Sequence, residues 1–141
     1  MSKISLLKLL ILWIKEVYIL FELIIKDDFV YYEISRNISS TFYTIANNIA
    51  FPNDLWFDLP ISVLTMWNEN IIKNNNKKKC KFELFFMDGP FFIECLKEDN
   101  NITMKFIHNK KSSLEKFTIQ TTFYELKNSV YRGTTQLIKL S

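Results

Sequence analysis

Between Lys81 and Gln120 the chain alternates β-rich runs with short polar breaks at Asp88-Gly89-Pro90, Asn100-Asn101 and Asn109-Lys110-Lys111. This spacing constrains the fold more than any other feature. Runs such as Phe82-Glu83-Leu84-Phe85-Phe86 and Ile102-Thr103-Met104-Lys105-Phe106 put apolar groups on alternate positions, which is how a half-buried sheet is written. The segment therefore predicts an antiparallel meander. With a two-residue turn at Asp88-Gly89, Cys95 faces Phe82, Glu94 faces Glu83, Phe92 faces Phe85, and Cys80 sits diagonally across from Cys95. The same register carried into the next strand sets His108 opposite Ile93.

The flanking segments are read by periodicity. Ile4 to Ile25 is largely apolar, but Lys8, Lys15, Glu16 and Glu22 interrupt it and leave Leu9 to Ile14 as the longest uncharged run, far short of the roughly 20 residues of a membrane span. A buried helix and two strands both fit. The strand reading is preferred because Val17 to Ile25, Lys26-Asp27-Asp28 and Phe29 to Ile34 together look like a hairpin with aromatic and β-branched arms. From Ser35 or Asn37, the spacing of Ile38, Phe42, Ile45 and Ile49 predicts a helix ending before Pro52. Asp58 ahead of Pro60 signals a second, with Val63, Leu64, Trp67, Ile71 and Ile72 on one face, running out in Asn74-Asn75-Asn76. From Thr121 to Leu140, Phe123, Leu126, Val130, Leu137 and Leu140 predict a third, weakened at Gly133-Thr134-Thr135. The expected class is α+β, a meander sheet packed with about three helices in a single domain over 1–141.

Composition narrows the function. With 48% hydrophobic and 16% aromatic residues in 141, the chain has the material for a real core. Two Gly leave nothing for a glycine-lined phosphate cradle. The net charge of +3 is a mild excess, much of it in Lys73 to Lys81, where Lys77, Lys78 and Lys79 adjoin three Asn. Such a run could touch phosphates, but no aromatics interleave it as base-stacking platforms, so it reads first as a solvated loop, and nucleic acid is not the expected partner. Cys80 and Cys95 are the only cysteines. Two thiols and no signal-peptide pattern point to a reducing cytoplasm.

Catalytic groups are scarce. His108 is the sole histidine, with no Cys or second His at zinc-ligand spacing. Glu83 and Glu94, facing one another, could share acid and base work if one were desolvated; the simpler reading is exposure with Lys105 close by. No serine stands in a nucleophile elbow. No cofactor, metal or small-molecule substrate is expected. Aromatic residues are the remaining lead. Phe85 and Phe92 share the Glu83 and Glu94 face, and Phe51 to Phe57 sets Trp56 and Phe57 beside Asp54 and Asp58, the mixture of anchors and acids found at protein interfaces. The expected partner-binding residues are Asp54, Trp56, Phe57, Phe85 and Phe92, with Lys77, Lys78 and Lys79.

The order of elements, with Leu64-Thr65-Met66-Trp67-Asn68 in the helical middle, Phe82 to Met87 before Asp88-Gly89-Pro90, and Phe123-Tyr124-Glu125-Leu126 opening the last helix, resembles small bacterial immunity proteins of contact-dependent inhibition and other polymorphic toxin systems. That resemblance implies a cytoplasmic antitoxin without enzymatic activity that binds one cognate protein toxin. The basic balance departs from strongly acidic immunity proteins that mimic nucleic acid. The alternatives are a small hydrolase using Glu83, Glu94 or His108, and a nucleic-acid-binding accessory protein using Lys77 to Lys79.

Overall fold

The computed structural model describes residues 3, 5–8, 21–87, 89–110 and 112–140. It is an α+β protein with two antiparallel sheets. The first contains β1 (Phe21–Ile25), β2 (Val30–Tyr32), β3 (Asn37–Ala46), β4 (Ile49–Phe51) and β5 (Phe57–Asp58), and β3 is its hub, pairing with the other four. The helix expected from Asn37 to Pro52 is therefore β3, a turn and β4. Residues 39–44 are buried without a break. A strand covered on both faces loses its alternation, so the three-to-four spacing of Ile38, Phe42, Ile45 and Ile49 was not a helical stripe. Asn47 and Asn48, at φ 50° and 63°, make the tight turn between β3 and β4, a conformation asparagine tolerates well.

The expected hairpin of Val17–Ile25 with Phe29–Ile34 also does not form. Instead β1 pairs with β3 from Phe21↔Ala46 to Ile25↔Phe42, and β2 pairs with β3 from Val30↔Ser39 to Tyr32↔Asn37. Lys26 to Asp28 cannot fold back because Thr41 holds it: Thr41 N and Oγ1 donate to the Asp28 carboxylate at 2.8 and 2.5 Å, and Lys26 N donates to Thr41 O at 3.0 Å. Residues 5–8 are helical rather than extended, in keeping with the helix propensity of Leu6, Leu7 and Lys8. Residues 9–20, where the rest of the strand reading falls, and Asp88 lie outside the described residues.

The second sheet is the meander: β6 (Lys79–Phe85), β7 (Phe91–Glu98), β8 (Asn101–Lys110) and β9 (Ser112–Thr122), in that order. The first hairpin has the expected register, with Phe82↔Cys95, Glu83↔Glu94 and Phe85↔Phe92. The second is shifted by two, so His108 faces Phe91 and Ile93 faces Phe106. The cause is the turn. Asp99, at φ 53°, and Asn100 make it, where the sequence suggested Asn100 and Asn101.

The middle helix (Pro60–Asn74) buries Val63, Leu64, Trp67 and Ile71, but Ile72 points to solvent. It also closes the edge of the meander: Trp67 Nε1 donates to Phe85 O at 2.8 Å and Asn70 Nδ2 to Glu83 O at 3.2 Å, using backbone acceptors that an open edge would offer to another chain. The C-terminal helix (Phe123–Leu140) is continuous through Gly133. A Cβ at Gly133 would lie 2.7 Å from Leu23 Cδ2, so this glycine lets the helix lie against β1. Ser129 Oγ and Gln136 Nε2 then donate to Phe21 O and Ile25 O. One apolar cluster joins both sheets and both helices, and its rings meet edge-on, Phe42 to Trp67 at 5.7 Å and Phe51 to Phe106 at 5.1 Å, the geometry aromatic quadrupoles favour. Much of the aromatic surplus is spent here.

Candidate protein-binding surface

Several uncovered apolar residues fall together on one hairpin. Residues 30–37 are all exposed, so the β2–β3 hairpin stands out as an arm bearing Val30, Tyr31, Tyr32 and Ile34. Beside it a cavity of about 310 Å³ is walled by Tyr32, Phe57, Leu59 and Met87, with Ser35, Asn37, Ser39 and Asp58 completing the lining. These walls come from three separate stretches of chain. Asp58 brings them together: its carboxylate, only 2% exposed, accepts from Trp56 Nε1 at 2.9 Å, Leu59 N at 2.7 Å and Met87 N at 3.2 Å. The hairpin root is held by Asp28. Burial by itself raises the Asp28 carboxyl, but the Thr41 hydroxyl and amide, its own amide and nearby Lys26 outweigh burial and hold it below its ordinary value.

The expected binding residues divide among three places. Phe57 lines the cavity. Trp56 is half-buried, packed edge-on against Phe91 at 5.0 Å and lying over Gly89, where the φ of 88° suits glycine; its work is to hold the β6–β7 turn. Asp54 is exposed in the turn between Asn53 and Trp56. Phe85 and Phe92 form the expected pair, with centroids 5.4 Å apart, on the outward face of the meander, apart from the cavity.

Lys77, Lys78 and Lys79 lie at the other end of β6, roughly 25 Å from Met87 at about 3.3 Å per strand residue. There the backbone is tied down: Lys97, 6% exposed, donates to Lys77 O, Asp99 N donates to Lys78 O at 2.6 Å, and Lys127 Nζ donates to Asn75 Oδ1 at 2.9 Å. Lys97 and Lys127 lie over the Phe123 ring at 4.7 and 5.7 Å. The loop is thus the cap of a structural knot.

The remaining chemical candidates find ordinary partners. Glu94 pairs with Lys81 at 3.3 Å and stands opposite Lys105 in register. His108 stacks on Phe91, with centroids 4.4 Å apart. Cys80 and Cys95 are free thiols, and burial pushes the Cys95 thiol well up, with Glu94 and Cys80 adding to it. A shallow concavity of about 820 Å³ spans Lys81, Leu96, Thr103 and Gln120 on the outward face of the meander. Among the described residues no group of three or more His, Cys, Asp or Glu is placed to hold a metal, and no helix is long and apolar enough to cross a membrane.

Tyr32 and Met87, which line the cavity, are not among the residues the sequence marks for binding; Tyr31-Tyr32 falls in the arm Phe29 to Ile34 of the expected hairpin. The signal available was the cluster Val30-Tyr31-Tyr32-Glu33-Ile34, too apolar for a solvated arm. No family model, curated protein or solved structure matches this chain.

Proposed function

We propose that this chain is a cytoplasmic immunity protein, without catalytic activity of its own, that neutralises a cognate bacterial protein toxin by binding it. The observation that carries this reading is the exposed apolar arm and the aromatic cavity beside it. Tyr31, Tyr32 and Ile34 are 59%, 48% and 104% exposed, within four positions of one another on a hairpin whose root is fixed to the body. Contiguous apolar exposure of this kind on a well-packed protein marks an interaction site, and tyrosine beside thioether and aliphatic groups is the composition of an interface centre. The two free thiols suit a reducing compartment.

The test is co-expression of the tagged protein with the open reading frames adjacent to its gene, followed by purification, calorimetry and a growth assay. A stoichiometric complex with a neighbour that is toxic alone and harmless with this protein is expected. Recovery of a lone monomer, and no protection from any neighbour, would overturn the reading.

A further inference from the structure

Two stretches of this chain differ in charge. From Lys26 to Asp58 the chain carries five acids, Asp27, Asp28, Glu33, Asp54 and Asp58, against two bases, Lys26 and Arg36, a local balance of −3 in a protein whose net charge is +3. From Lys73 to Lys81 there are five lysines and no acid. The lysine run lies at the far end of β6, away from the cavity, which Asp58 lines and Glu33 adjoins on the arm. The acids also hold fixed places. Asp58 lines the cavity, and its charge is set in place by three N–H donors. Asp28 is clamped to Thr41, which pairs with Phe57. Glu33 follows Tyr32 on the arm.

We infer that the cavity between Tyr32 and Met87 is a docking site for a cationic side chain, an arginine or lysine carried by an exposed segment of a protein partner. The walls suit the aliphatic stem of such a residue, Tyr32 and Phe57 offer ring faces to its charge, and the polar lining of Ser35, Asn37 and Ser39 offers acceptors. Asp58 in the lining and Glu33 beside Tyr32 complement that charge, against the single base Arg36 between Ser35 and Asn37, and would speed encounter. An acidic segment would meet the Asp58 and Glu33 carboxylates unfavourably. The inference rests on the reading of the chain as a protein-binding module, and adds the place and the chemistry.

The experiment uses the whole protein, labelled with nitrogen-15, and two blocked pentapeptides, Gly-Leu-Arg-Leu-Gly and Gly-Leu-Glu-Leu-Gly. Titration to millimolar peptide should give saturable amide shifts at Tyr32, Ser39, Phe57, Leu59 and Met87 with the arginine peptide and none with the glutamate peptide. Affinity should fall several-fold between low and high salt, as exposed charges are screened. Tyr32→Ala should weaken binding roughly tenfold, a loss of about 1.4 kcal/mol, and Glu33→Lys by a similar factor. Lys77→Glu with Lys78→Glu should leave it unchanged. All these positions are exposed, and an unaltered amide spectrum shows that each variant is folded. Absence of saturable shifts, shifts centred elsewhere, or equal binding of both peptides would overturn the inference. So would salt-sensitive self-association of the protein alone, which would assign the cavity to the lysine end of a second copy. The co-expression test fails or succeeds independently: peptide binding without a toxic partner would remove the immunity reading and leave the site, and a complex indifferent to Tyr32 and Glu33 would do the reverse.

Discussion

Two groups of aromatic residues in this protein have similar composition and opposite surroundings. Phe42, Phe51, Trp67, Phe86 and Phe106 meet edge-on inside the single apolar cluster, while Tyr32 and Phe57 line a cavity at the surface and Tyr31 is exposed next to Tyr32 on the arm. The inner group is held by packing from every side. The outer one is anchored by strand pairing with β3 and by the carboxylates of Asp58 and Asp28, with Tyr31 and Tyr32 largely exposed to water. The contrast shows how a protein presents a rigid apolar surface without weakening its core: polar clamps set the backbone, and the side chains that would otherwise be buried remain available.

The sharpest way to probe that division is to remove a ring from the inside. Trp67 is fully buried and donates to Phe85 O, so Trp67→Ala should lower stability by about 4 kcal/mol, read as a large fall in the urea midpoint. A loss below about 1 kcal/mol would mean that the inner cluster is not a packed core. Next comes the main clamp. Asp58→Ala strands three N–H donors in a buried position and should cost about 3 kcal/mol, visible in thermal melting, with amide shifts spreading to Trp56, Leu59 and Met87. The smaller clamp, Asp28→Ala, should cost about 1 kcal/mol.

Asp28 also makes a pH prediction. Its folded carboxyl is held below the ordinary value, so its contribution is fully present above the unfolded carboxylate range near pH 4 and is lost as pH falls through the lower folded value. Wild-type stability should decline there more steeply than that of Asp28→Asn; parallel curves would show that the clamp contributes nothing. The smallest effect is at the outer ring: Tyr32→Ala should change stability by less than about 0.5 kcal/mol in the same urea titration. A loss comparable to Trp67→Ala would place Tyr32 in the core and erase the distinction.

Parts of this arrangement are legible in the residues. The register of the first meander hairpin follows from the alternation of Phe82, Leu84 and Ile93 and the break at Asp88-Gly89, because period and turn length together leave one pairing. The helix faces of Val63, Leu64 and Trp67 and of Leu126 and Val130 follow from their spacing. Other parts are not legible. The second hairpin was misplaced because Asp99 and Asn101 compete for one turn and both tolerate it. The hub strand β3 read as a helix because burial on both faces removes the alternation that marks a strand, and Asn47-Asn48, the one local clue to a turn, lay inside the supposed helix.

Of the residues the sequence marks for binding, Phe57 lines the cavity, Trp56 packs over Gly89, and the lysine run lies at the far end of β6 with its backbone tied to Lys97 and Asp99. Tyr32 and Met87 are 55 residues apart, and nothing local connects them.

By itself the sequence determined an α+β chain with an antiparallel meander, amphipathic helices from Pro60 and Phe123, and enough apolar material to bury. These are consequences of period, turn residues and composition, all local properties. Only the tertiary structure decided which aromatics are inside, that β1 and β2 both run along β3, and that Tyr32, Asp58 and Met87 meet at one cavity while Lys77 to Lys79 sit at the other end of β6. Burial and proximity depend on contacts between residues far apart in the chain, such as Asp58 with Met87 and Gly133 with Leu23, and such contacts have no local signature.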